Sequence, residues 1–392
     1  MPVTAYSIAA ARELDLVQWL TLNGYSTQED PLLARIPPAL RERAAADIEC
    51  SGCRARGATL VRVSRSNGTG RAVGQGHFRF TTAQGANPHA PLCEFYDEGA
   101  QQGAEYLADF ASDRSALTRT VRDLVCRGIR ANLYSQSDMR QMRLWFLQER
   151  TAHAFTLDVT EEVLQWCVDM WATRVWSPDQ IPFRPEHGQI PAFDWEGAAS
   201  REWARRNERL FKAVQHRVHF TKANIARPLL LIAKHAGQAV LDPTALRDKY
   251  AAVVELAGFA VRYVFGIANM RIPSALNGHV SDWGAKGHAL LALSALLLFK
   301  SDWDIGPASA MFSTLTRLPH AAEGLEGNLI GLNPFHDYPA WQVINAARQI
   351  AALRTDSRPV GAQIESLRAE MQASHHSWAT GIPDLSALRG GA

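Results

Sequence analysis

Lysine and cysteine are the scarce residues of this chain. Of its 41 lysines and arginines only six are lysine, and the first stands at position 212. A GC-rich genome yields that bias without a functional cause. Arginine is also the better ligand for phosphates and base edges, so the bias alone decides nothing. Five cysteines in 392 residues exclude a disulfide-rich secreted scaffold. A net charge of +2 excludes a global field that would draw polyanions. The start, Met1-Pro2-Val3-Thr4-Ala5-Tyr6, lacks a basic stretch followed by a long apolar core, so no secretion leader is expected. The most apolar run, 289–299, would span about 16 Å as a helix, roughly half a bilayer core. A buried helix, no membrane contact and a cytoplasmic location are expected. No phosphate-cradling glycine loop, nucleophile elbow or His-Glu-x-x-His occurs, so no catalytic residues and no organic cofactor are assigned.

Three of the five cysteines fall in one stretch. Cys50-Ser51-Gly52-Cys53 is answered by His89-Ala90-Pro91-Leu92-Cys93. Two thiolates on one knuckle, with an imidazole and a thiolate on a second, make the four ligands that zinc takes in a tetrahedron. The intervening residues read as a hairpin that returns the second pair to the first. Residues 58–63 and 76–80 alternate like strands, and 66–70 is a Gly-rich turn. A chance Cys-x-x-Cys with two free cysteines is the competing reading. His77 is a rival fourth ligand, but it sits inside the strand pattern. His89 follows Pro88 four residues before Cys93 and is preferred. Four protein ligands leave no open position for water, so a structural zinc is expected. The zinc deaminases need a glutamate two residues after the histidine and a Pro-Cys-x-x-Cys. Pro91 stands where that glutamate would be, and no proline precedes Cys50.

Cys50, Cys53 and the pair His77-Phe78 resemble the N-terminal module of CoiA-like competence and defence proteins, which carry a Cys-x-x-Cys, a strand ending in His-Phe and a later histidine. The resemblance covers about 50 of 392 residues. In that family the module accompanies a nuclease domain. This chain lacks a convincing acidic–acidic–lysine signature, so nuclease activity is not carried over.

The length suffices for two or three domains. The reading is a mainly α protein, with a small β-hairpin zinc module between an N-terminal helical segment and a large helical domain. Residues 1–45 are expected as the N-terminal helical segment, with 5–20 periodic and Pro37-Pro38 opening a short charged helix. The zinc module is 46–98, a helical subdomain 99–180, a helical domain 195–378 and a flexible tail 379–392. Helical spacing covers 117–127, 137–148, 160–175, 197–220, 226–236, 243–265, 286–299, 339–353 and 360–374. Loops at 177–194 and 318–339 break it. Cys126 and Cys167 lie on apolar helical stretches as core thiols.

Two basic stretches carry the functional expectation. Six arginines lie between 119 and 143, and Arg119, Arg122 and Arg130 fall within about 80° of one another on a helix. Helix, Gly128 turn, then a second helix reads loosely as helix-turn-helix, with Arg140, Gln141 and Arg143 opening the recognition helix. A solvated helical pair is the alternative. The second stretch, 201–227, has eight basic residues against two acidic ones, among them Arg205, Arg206, Arg209 and Lys212. That is the footprint of a phosphate-binding face. Its interleaved aromatics are more often core. The Arg209–His216 spacing of some helical ribonucleases occurs too often by chance to carry weight. His279, Asp282 and His288 flank a Gly-rich loop that could be a polar site. The expectation is a zinc-binding, nucleic-acid-binding component of a bacterial assembly with protein partners. The system would be of mobile-element, competence or phage-defence type, on the resemblance alone. A nuclease with an unrecognised site, or a protein scaffold, is the alternative.

Overall fold

The computed structural model describes residues 4–65, 72–74, 76–82, 84–96, 106–109, 115–172, 181–215, 220–267, 271–272, 276, 280, 283, 287–321 and 330–381. In chain order the elements are β1 (Thr4–Ser7), β2 (Arg12–Asp15), α1 (Leu16–Leu22), α2 (Pro38–Asp47), β3 (Ile48–Glu49), β4 (Ala58–Val61), β5 (Ser64–Arg65), β6 (Ala72–Gly74), β7 (His77–Phe80) and β8 (Leu107–Asp109). Then come α3 (Ala116–Arg130), α4 (Gln136–Ala152), β9 (Ala154–Thr156), α5 (Glu161–Ala172), α6 (Trp195–Arg206), α7 (Glu208–Gln215), α8 (Lys222–His235) and β10 (Ala239–Leu241). The remainder are α9 (Arg247–Ile267), α10 (His288–Lys300), α11 (Ile305–Arg317), β11 (Ile330–Leu332), α12 (Tyr338–Leu353) and α13 (Val360–Gly381). The chain is mainly helical, as expected.

These elements form two compact units, Met1–Ala154 with Thr244–Asp337, and Phe155–Pro243 with Tyr338–Ala392. The boundaries differ from the expected 98/99 and 180/195 cuts, because each unit is built from two separated stretches of chain.

The first unit opens with strands where a helix was expected. β1 pairs antiparallel with β2 and with β3. The alanines at 9–11 favour helix, but Ala11 takes φ +51° at the turn. The Asp47 carboxylate fixes that turn. It accepts from the Ser7 hydroxyl, the Ala9 N–H and Trp19 Nε1–H at 2.7–2.8 Å. Burial opposes its ionisation, and these hydrogen bonds outweigh burial and hold its pKa below the ordinary range. Tertiary hydrogen bonding thus overrides local propensity. The 58–80 hairpin is present: β4 pairs antiparallel with β7, and Ala58, Leu60, Phe78 and Phe80 face inward. The turn expected at 66–70 lies outside the described residues. Leu14, Leu16, Trp19, Leu33, Ile48, Phe78 and Phe80 share one core with Cys50 and Cys93. The N-terminal segment and the metal module are therefore a single folding body, which corrects the expected division at 45/46.

The helical half of this unit packs α3, α9, α10 and α11 together. The apolar run expected as a buried helix is α10, enclosed from Ala289 to Leu298. Pro243–Ile267 is the one stretch among the described residues long and apolar enough to cross a membrane. Its inward face, Val253, Leu256, Ala260 and Val264, belongs to the core. Gly128 does not end the first helix. α3 runs through it to Arg130, and the missing Cβ makes room for the Tyr134 ring, 2.3 Å from where a Cβ would sit.

The second unit buries Leu164, Trp166, Trp203, Phe211, Leu231, Trp341 and Ile344 between α5, α6, α7, α8 and α12. The helix expected over 197–220 is two helices. Asn207 caps α6, its Nδ2 donating to the Trp203 carbonyl at 3.0 Å, and α7 follows. Thr221 caps α8. Cys167 is enclosed, and burial pushes its thiol up to about 12.

Candidate metal centre

The two knuckles are built alike. Cys50 follows β3, and the Gly52 N–H donates to its sulfur at 3.3 Å. Cys93 receives the Phe95 N–H in the same way at 3.5 Å. Each cysteine sulfur thus accepts from the amide two residues on. Arg54, with φ +62°, returns its N–H to the Cys50 carbonyl and closes the first knuckle. Gly52 is required for contact between the knuckles. A Cβ there would lie 2.9 Å from Cys93 Sγ and 2.7 Å from Glu94 Oε2. The Asn87 side chain accepts from the His89 N–H at 2.9 Å and donates to the Tyr96 carbonyl, which sets the second knuckle. Phe80 meets the His89 ring edge to face, with centroids 5.1 Å apart.

One donor atom each from Cys50, Cys53, His89 and Cys93 lies within 4.8 Å of all the others. Cys50 Sγ and Cys93 Sγ are 3.8 Å apart, and His89 Nδ1 is 3.4 Å from Cys53 Sγ and 4.0 Å from Cys93 Sγ. Zinc–sulfur bonds of about 2.3 Å in a tetrahedron put sulfurs about 3.8 Å apart, and a zinc–nitrogen bond of about 2.0 Å gives sulfur–nitrogen separations of about 3.5 Å. The four residues therefore lie close enough to hold one metal ion, and the set suits zinc. Three sulfurs and an imidazole exclude the oxygen-seeking calcium and magnesium. His77 is not in the group.

The protonation chemistry also asks for a cation. Burial holds the Cys50 thiol well above its ordinary range. Hydrogen bonds from the Cys50 and Cys93 thiols hold Cys53 well below its own. The hydrogen bond between Cys93 and Cys50, then that to Cys53 and burial, hold the Cys93 thiol up. Three thiolates in this enclosed place need a positive ion.

The arginines expected to face nucleic acid have different fates. Arg140 and Arg143 are corrections. Arg143 is 1% exposed and pairs with Glu13, and Arg140, 9% exposed, pairs with Glu49 and lies over the Tyr6 ring at 4.0 Å. A side chain enclosed in a carboxylate pair has no phosphate or base edge within reach. The helix-turn-helix reading falls with them, since α4 turns this face onto β2 and β3. Arg119 and Arg130 are exposed on α3, and Arg122 is half-buried. On α6 and α7, Arg205 and Arg206 both bond Glu202, Arg206 also bonds Glu370, and Lys212 bonds Glu208. Arg209 is exposed. Glu202 and Glu208 are the two acidic residues already counted in 201–227, and the fold adds Asp194 beside Arg201 and Glu370 beside Arg206.

Of the polar loop residues, His279 and Asp282 lie outside the described residues. His288 stands edge to face with His336, centroids 3.9 Å apart, and His336 Nε2 is 2.9 Å from Asp337 Oδ2. His336 Nδ1 is buried and has no hydrogen-bond partner among the described residues. His375 meets the Pro185 carbonyl at 2.7 Å between Trp195 and Trp378. His216 lies outside the described residues.

Comparison with protein-family models, with curated proteins and with solved structures finds no match to this chain.

Proposed function

We propose that Cys50, Cys53, His89 and Cys93 hold a structural zinc ion, in a protein that serves as a nucleic-acid-binding component of a larger cytoplasmic assembly. The closed four-donor group carries the first half of this reading. It leaves no coordination position for water or substrate, so the ion would fix the fold rather than perform chemistry. One zinc per chain is expected by elemental analysis after metal-replete expression. Less than half an equivalent overturns it.

The exposed arginines support the second half. Arg119, Arg122 and Arg130 occupy one helix, and Arg205, Arg206, Arg209 and Lys212 another stretch. The Arg206–Glu370 and Lys212–Glu208 pairs are exposed to solvent on both sides. Such pairs contribute little, so exchanging a carboxylate for a phosphate costs little. The likeness of the metal module to competence and defence proteins is what suggests the setting. The test is the salt dependence of binding to duplex DNA and to RNA. Replacing Arg205, Arg206, Arg209 and Lys212 by alanine should weaken binding at low salt. For duplex DNA, the slope of log affinity against log salt should fall by about one per lost phosphate contact. Unchanged affinity at both salts moves the protein to the scaffold reading. That alternative has one observation in its favour: Glu202, itself 5% exposed, already satisfies two of the four cations.

A further inference from the structure

Helix α4 grips both knuckles of the metal centre with one face. Arg140 holds Glu49, the residue directly before Cys50. Arg150 donates to the carbonyl of Leu92, the residue directly before Cys93. Arg143 holds Glu13 on β2 between them. These three positions fall within about 80° on the helix and span about 15 Å along it. Arg150 also lies over the Tyr106 and Phe146 rings, 4.9 and 5.7 Å from their centroids.

We infer that zinc binding and the docking of α4 onto the N-terminal sheet are one linked equilibrium, with Arg150 as the connection to the second knuckle. The inference rests on the zinc reading above. The ion ties 89–93 to 50–53, and with it bound Leu92 presents its carbonyl at a fixed place. Arg150 then completes a hydrogen bond whose acceptor is already positioned. Without the ion the second knuckle loses its sulfur and imidazole anchor, and Arg150 holds a segment that no longer has a set position. Linkage is reciprocal. The factor by which zinc strengthens the docking of α4 is the factor by which docked α4 strengthens zinc binding. Arg150 is a positioning residue of the metal centre, and α4 reports whether the centre is loaded. A protein partner that pulls on α4 would loosen the ion, and withdrawal of the ion would free the helix.

Two measurements on the full chain test this. Zinc affinity is read by competition with a chromophoric chelator, for the parent, for Arg150→Met and for Arg262→Met, an exposed position on α9. Arg150→Met should bind zinc about tenfold more weakly, the scale of one charge-assisted hydrogen bond, and Arg262→Met as the parent does. Amide exchange is then followed with zinc bound and after chelation. Residues 136–152 should exchange at least tenfold faster without the ion, while α10 keeps its protection. This second arm uses the parent alone, so it decides the matter even where Arg150→Met fails to fold. A parent that binds one zinc, whose α4 protection ignores zinc removal, overturns this inference and leaves the zinc reading standing. Arg150→Met with parental zinc affinity does the same. Collapse of α10 together with α4 also overturns it, since the link would then be global unfolding. A parent that takes up no zinc overturns both readings.

Discussion

Arg143 and Glu13 form an enclosed ion pair across 130 residues of sequence, joining α4 to β2. Removing one partner of such a pair leaves a buried charge with no counterion, which costs about 3–5 kcal/mol. Arg143→Ala should destabilise the first unit by that amount in urea denaturation. Arg143→Met with Glu13→Gln should recover most of it. Neither variant should change the salt slope of nucleic-acid binding. A flattened slope at parental stability would return Arg143 to the binding surface.

Gly52 and Gly85 lie in the same module and should answer differently to a methyl group. A Cβ on Gly52 meets Cys93 Sγ and Glu94 Oε2 below 3 Å, whereas Gly85, at φ +78°, has nothing within 4 Å. Gly52→Ala should lower zinc affinity at least tenfold by forcing the knuckles apart. Gly85→Ala should cost about 1 kcal/mol of stability through its backbone conformation alone, at parental zinc affinity. Chelator competition on the two variants distinguishes them.

The Glu202 carboxylate gives the second unit an acid-sensitive element. The Arg205 guanidinium, followed by that of Arg206, holds its pKa down to about 2, against an ordinary 4.5. A depressed carboxylate pKa contributes stability that is fully present above the unfolded value and is lost as pH falls toward the folded one. The gap in thermal stability between parent and Glu202→Gln should therefore be widest above about pH 5, narrow below 4.5 and close near pH 2. A gap that does not change with pH would mean the two arginines do little for Glu202.

Gly128 is a packing position inside a helix rather than a break. Gly128→Ala gains helix propensity of about 1 kcal/mol but drives a methyl into the Tyr134 ring, and overpacking of this kind costs about 1–3 kcal/mol. The crowding at 2.3 Å decides the sign, so the variant should be less stable than the parent. Gly128→Ala with Tyr134→Leu, which relieves the clash, should be more stable than Gly128→Ala alone. Urea midpoints for the three chains give the answer.

The features legible in the sequence were those with local causes. The four metal donors could be found because each knuckle carries two of them within a few residues. α10 could be found because a run of eleven residues broken only by Ser294 is otherwise apolar and leaves few other fates. α11 was missed, since Gly306, Pro307 and its serines and threonines blur the pattern. Ala308, Phe312 and Leu315 were the available signal, at i, i+4 and i+7 behind the Asp304 cap. The fates of the arginines were not legible. Arg140 and Arg143 look like surface charges until the fold brings Glu49 and Glu13 to them from 91 and 130 residues away. Arg209, which forms no carboxylate pair among the described residues, reads the same way in a linear sequence. The strands at 4–15 were hidden for a similar reason, because Asp47, which stabilises their turn, lies more than 30 residues on.

The pairing of Leu107–Asp109 with Ile330–Leu332 has a consequence during synthesis on the ribosome. The apolar face of α3 emerges long before α9, α10 and α11, which cover it. α5 and α8 likewise emerge before α12, against which they pack. The parts of both helical cores that these later helices cover must wait for more than 100 further residues, which is the circumstance in which nascent chains collapse wrongly or recruit chaperones. Residues 4–96 do not wait in this way. Their sheet, hairpin and both knuckles are complete within one continuous stretch of chain, and α4 follows soon after. A metal ion taken up at the knuckles, as proposed above, would be met by a stretch able to settle while the later helices are still being made.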